Sequence, residues 1–165
     1  MAEANAVVDS VSSLSSSVTE VRTARSLKPS SPLVTVTFQS GQSGLLDMNV
    51  PRAVVWAEVL HSMREANHPA YVEIDPETKY ITELLQPLEV QVGEIKETAS
   101  GVEVELIISH ARHYLQRTRP NFRDLLNELK AAQKQGTKVL VTETLDDHQI
   151  IDVRPLEKLG AVKLK

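Results

Sequence analysis

The sequence predicts an α+β fold built from an internally duplicated strand, loop, helix, hairpin and strand unit. The copies are expected to be related by a pseudo-two-fold and to share a mostly antiparallel sheet or small barrel with the helices packed on it. Three observations lead there: a shifted self-match, a helical apolar stripe in each copy, and alternating apolar and polar residues elsewhere. Residues from about Leu33 to Lys96 reappear as Val102 to Lys165 at a shift of 68 or 69 positions. Val34, Val36, Leu46, Pro51, Leu60, Val72, Ile81 and Pro87-Leu88-Glu89 find identical residues at Val102, Val104, Leu115, Pro120, Leu129, Val141, Ile150 and Pro155-Leu156-Glu157. Agreement of apolar pattern and turn positions, as well as letters, is what a repeat leaves behind. Repeat A therefore covers 33–97 and repeat B covers 98–165. A unit of about 65 residues buries only about 60% of its unfolded surface, so the two are expected to pack as one domain.

Residues 1–32 precede the repeats as a Ser-rich segment, with serines at 10, 12, 13, 15, 16 and 17 and the linker-like Lys28-Pro29-Ser30-Ser31-Pro32 at its end. Val7, Val11, Leu14, Val18 and Val21 fall on one helical stripe, but serine and valine are mediocre helix formers. The segment is read as flexible, or as ordered only against a partner or the body of the protein. Leu33 to Phe38 then alternates as a half-buried strand. After a loop containing Gly41 and Gly44, Pro51 suits the first turn of a helix and Asn49 stands where a cap could sit. Ala53, Trp56, Ala57, Leu60 and Met63 recur at helical spacing up to Asn67-His68-Pro69, and Phe122, Leu125, Leu126, Leu129 and Ala132 do so up to Gly136. Tyr71 to Ile74 and Val139 to Thr142 read as strands, each followed by a polar turn and a return strand holding Ile81 or Ile150. A further strand starts at Pro87-Leu88-Glu89, and the turn Thr98 to Gly101 joins it to the strand of Val102, Val104, Leu106 and Ile108. That hairpin is expected to tie the copies through a common sheet.

Composition narrows the function classes. The chain has 165 residues, 41% of them hydrophobic and 24% charged, which is ordinary for a globular protein. No stretch approaches the roughly 20 apolar residues of a membrane span, so no membrane association is expected. The absence of cysteine excludes a disulfide framework, thiolate zinc sites and thiol nucleophiles. With no signal-like start and acidic residues early in the chain, the expected location is cytoplasmic. A net charge of −4 gives no bulk attraction to nucleic acid, so such binding would need a local patch.

One patch of that kind stands out. The loop before the second helix carries Arg112, His113, Tyr114, Arg117 and Arg119, and the helix continues with Arg123, Lys130 and Lys134 on one face. Arginines grip phosphates or carboxylates in pairs, and Tyr114 could stack on a base. The equivalent loop of repeat A is Gly-rich and nearly uncharged. The bland alternative is a solvated charge cluster neutralised by Asp124, Glu128 and neighbouring carboxylates. Conversely, Val54, Val55 and Val59 give the first helix a second apolar stripe where the other has charges. That helix is expected to be covered on two sides, by the N-terminal segment, the other repeat or a protein partner.

No catalytic residue emerges. Gly41-Gln42-Ser43-Gly44 lacks the Lys and the following helix of a phosphate loop. Glu89, Glu103 and Glu105 alternate with valines, as on a solvated sheet face, and no serine sits in a nucleophile elbow. His110 and His113 have HxxH spacing but lack a third ligand and are flanked by arginines. No metal or other cofactor is therefore expected, and His61, His68 and His148 read as surface or turn residues. The expected function is a non-catalytic binding or adaptor protein acting through protein contacts, with the basic face of repeat B taking an anion or an acidic partner. The alternative is an RNA- or DNA-binding protein using the same face. A homo-oligomer is left open.

Overall fold

The computed structural model describes residues 5–19, 31–107 and 111–156. It is α+β, with two helices and three mostly antiparallel sheets. The chain divides into two compact units, residues 1–84 and 85–165.

In the first unit, β1 (Asn5–Asp9) pairs with β5 (Ala70–Ile74), which neighbours β6 (Ile81–Leu85). β2 (Val11–Thr19) pairs with β3 (Ser31–Phe38), and β3 with β4 (Ser43–Asp47). The described part of the Ser-rich segment is therefore paired strand within the chain, not a helical stripe or a loose tail. Valines 7, 8 and 11 are buried along it, and β-branched residues fit a pleated, half-buried surface well. The last part of that segment, Val21 included, lies outside the described residues. At Ser10 the strand breaks: the Asp9 carboxylate accepts the amides of Ser10 (2.7 Å) and Ser40 (2.6 Å).

The helix α1 (Pro51–Glu65) follows β4 with Pro51 at its first turn, where a missing N–H costs nothing. Its N-cap is Val50, not Asn49, and makes no side-chain cap bond. Ala53, Leu60 and Met63 are buried and, with Val34, Val36, Phe38, Leu46, Val72 and Ile81, form the core of this unit. Val54, Val55 and Val59 stay exposed, so the expected cover over the second stripe is not supplied by any described residue.

In the second unit the strand β7 (Leu88–Thr98) is continuous and central. It pairs with β10 (Lys138–Glu143) through Leu88 to Gln91 and with β8 (Gly101–Leu106) through Val92 to Thr98, with a bulge in the second stretch between Val92 and Ile95. β9 (His113–Gln116) and β11 (Ile150–Pro155) complete a five-stranded sheet in the order β11-β10-β7-β8-β9. No barrel closes among the described residues, and the expected single shared sheet is replaced by three. The reason is the pairing of β7: both of its neighbours, β8 and β10, lie later in the chain.

α2 (Phe122–Gln135) starts two residues after Pro120 and ends on Gly136, whose φ of 64° is the left-handed conformation glycine adopts without penalty. Leu125, Leu129 and Ala132 bury one stripe against Val90, Val102, Val104, Leu115, Val139, Val141 and Ile150.

The registers of the two units correspond in detail. Val11 faces Phe38 and Val92 faces Leu106, with a bulge after each. The amide of Gln39 donates to the Ser10 carbonyl, and that of Ile107 to the Gln91 carbonyl, both at 3.0 Å. Isolated parallel bridges join Leu45 to Tyr80 and Tyr114 to Gln149.

Candidate functional site

These registers place Val36 opposite Gly44 and Val104 opposite His113. The hairpin turns close alike: the Asp75 amide donates to the Tyr80 carbonyl and the Thr144 amide to the Gln149 carbonyl, each at 2.9 Å. Ile74 and Lys79 thus occupy in the first unit the stations of Glu143 and His148 in the second. In both turns the residue before the bridge has positive φ, 66° at Lys79 and 53° at His148. The backbone conformation there belongs to the turn itself and not to either side chain.

What fills the stations differs. In the first unit, a Cβ added to Gly44 would lie 2.6 Å from Ile81 Cγ1 and 3.3 Å from Ile74 Cδ1, so two isoleucines already occupy the space over the glycine. In the second, His113 is 1% exposed and its Nδ1 contacts Glu143 Oε2. His148 Nδ1 lies 3.1 Å from Glu143 Oε1. The imidazoles meet edge to face, with centroids 5.3 Å apart and planes at 75°. One donor atom from each of the three residues falls within 4.8 Å of the others, so they form a group able to hold a metal ion. Both Nδ1 atoms thus face oxygens of the one carboxylate, Glu143.

This cluster was not visible in the sequence as a unit. In the sequence His113 has HxxH spacing with His110, which lies outside the described residues, and His148 sits in a polar turn. It is in the turn, yet β10 and its neighbours carry the turn to His113. The signal that could have found it is the self-match, which sets His113 and Glu143 against a glycine and an isoleucine of the buried face.

The members of the predicted basic face stand in different surroundings. His113 itself points inward and offers no surface. Arg112 is exposed and lies 3.7 Å from Glu103. Tyr114, next along β9, is 37% exposed. Arg117 reaches the Thr98 carbonyl at 3.5 Å and lies over the Phe122 ring at 5.5 Å. Arg119 is half-buried, and its Nε has no hydrogen-bond partner among the described residues. Arg123, Lys130 and Lys134 are exposed along α2. A groove of about 590 Å³ runs between the Thr98 to Val102 turn and the Tyr114 to Thr118 stretch, with Gln149 on its wall.

One further ionisable group is perturbed. Asp152, 7% exposed, is held above the usual carboxylate range by burial, which the guanidinium of Arg154 at 3.1 Å only partly offsets. No described helix is long and apolar enough to cross a membrane. Comparison with protein-family models, curated proteins and solved structures finds no match to this chain.

Proposed function

We propose that the chain is a non-catalytic binding module made of two diverged copies of one unit, in which the second copy binds an acidic segment of a partner protein. The reading of two copies rests on the matching registers, bulges and turn hydrogen bonds. It also moves the start of each copy to the strand before Ser31 or before Gly101, since Val7 to Ser16 take the same partners as Leu88 to Glu97. The observation that carries the binding reading is the groove walled by Tyr114 and Arg117, both exposed, beside Gln116, Thr118 and Ser100. Arginine and tyrosine are favoured anchors of interfaces, and an arginine fork matches a carboxylate.

An RNA or DNA strand stacked on Tyr114 is the second reading, supported by the exposure of that ring beside Arg117. Fluorescence anisotropy with a labelled acidic peptide and with single-stranded RNA of the same net charge separates them. The peptide should bind, and the variant carrying Arg117→Ala and Arg123→Ala should bind it at least about tenfold more weakly. Tighter RNA binding with a steep salt dependence would favour the second reading, because counterion release scales with the phosphates contacted. Unchanged peptide binding by the double variant would reject the groove.

A further inference from the structure

We propose that His113, Glu143 and His148 form a binding site for a divalent first-row transition ion of the zinc class. Two imidazoles and one carboxylate make a ligand set that such ions accept, with three protein ligands and a fourth position left for water. The three side chains come from β9, from the end of β10 and from the turn beyond it, and they converge on one point. At metal–ligand bonds of about 2.0–2.1 Å, tetrahedral donors stand roughly 3.3 Å apart. The present separations of up to 4.8 Å close to that value with small rotations, above all of His148, which is the most exposed of the three. The ion would sit between the two Nδ1 atoms and the carboxylate oxygens they face, each coordinating nitrogen being free of a proton when it binds.

Two observations set this apart from an ordinary buried histidine. The matching stations of the first unit hold Gly44, Ile74 and Lys79, so the backbone there needs no polar group at the first two positions. Placing a buried imidazole and a half-buried carboxylate there instead removes hydration that polar contacts must restore. The charge around the site also suits a cation. Arg112 lies within 4 Å of Glu103 on β8, at 3.7 Å, and is largely in solvent, while Asp146 and Asp147 precede His148 in the turn. The repulsion expected from the flanking arginines is thereby reduced. A bound ion would pin the β10–β11 turn to β9, one residue from Tyr114, independently of whether the groove takes peptide or nucleic acid.

The test uses the full chain freed of metal with a chelator, then titrated with Zn²⁺ by calorimetry and with Co²⁺ by visible absorption. One Zn²⁺ per chain, a melting temperature that rises with Zn²⁺ concentration, and an intense tetrahedral Co²⁺ band are expected. His148→Asn keeps the left-handed turn, since asparagine tolerates positive φ, and Glu143→Gln keeps the shape of the carboxylate. Each should weaken Zn²⁺ binding by about 100-fold or more, while His61→Ala and His68→Ala leave it unchanged. His148→Asn alone decides the matter if changes at the buried His113 prevent folding. Absence of Zn²⁺ binding at about millimolar concentration, a weakness far beyond that of built zinc sites, would overturn the proposal. Parental affinity in both His148→Asn and Glu143→Gln would do the same.

Discussion

Over Gly44 the first unit stacks two isoleucines, while at the same register the second unit brings His113, Glu143 and His148 together. The strands, the bulge, the bridge and the positive-φ turn residue are alike, so the backbone is indifferent to which filling it carries. An apolar plug stabilises by burial alone, whereas a polar cluster in the same place must first recover the cost of desolvation. The difference teaches where to look: the filling that carries a desolvation cost is the one proposed above to take a ligand.

The comparison can be broken most directly by converting one site into the other. In metal-free buffer, Glu143→Ile alone should cost about 3 kcal/mol, because it leaves His113 buried without its carboxylate. Adding His113→Gly reproduces the glycine and isoleucine of the first unit and should recover most of that loss, to within about 1–2 kcal/mol of the parent. Urea unfolding reads both. If the double variant is no better than the single one, the two stations are not equivalent.

A smaller effect comes from the other side. Gly44→Ala drives a methyl group into Ile81 and should cost about 1–3 kcal/mol by overpacking, with part of the loss returned by Ile81→Val, which makes room. Full stability in Gly44→Ala would mean that the isoleucines do not fill that space.

The smallest expected effect concerns Asp152, which lies on β11 two residues beyond Ile150, whereas Ile150 faces the core. Its folded-state pKa is raised, chiefly by burial. The contribution of this group to stability is therefore fully present below the unfolded carboxylate value of 3.8 and is lost as pH rises through the folded value. Asp152→Asn removes that dependence. It should unfold at slightly higher urea than the parent at neutral pH and coincide with it at low pH; lower stability at neutral pH would mean that the contact with Arg154 outweighs the burial.

Much of the fold was legible because it rests on periodicity. The helical stripes of Leu60 and Leu129, the Gly136 stop, the two polar turns and the hairpin at Thr98 to Gly101 all follow from local pattern. β4 and β9 look like loops in the sequence because five and four residues, containing Gly44 and His113, give too little alternation to register. The Ser-rich segment left a strand ordered against the body open without favouring it, because its serines look like a linker until β3 and β5 are there to pair with it. Of the basic residues expected to form one face, all except His113 and Arg119 are exposed. The His113, Glu143 and His148 group was not, because a site assembled across β9 and a distant turn has no spacing in the chain.

β7 also has a consequence in time. It is the first strand of its unit to be synthesised, yet it ends in the middle of the sheet, with β8 on one side and β10 on the other. Its pairing with β8 closes a tight turn and can form early, whereas its other edge must wait for β9 and α2 to be made before β10 arrives. Until then that edge is a row of open backbone donors and acceptors, and the exposed Glu89 along it is the kind of charged residue that discourages foreign strands from pairing there.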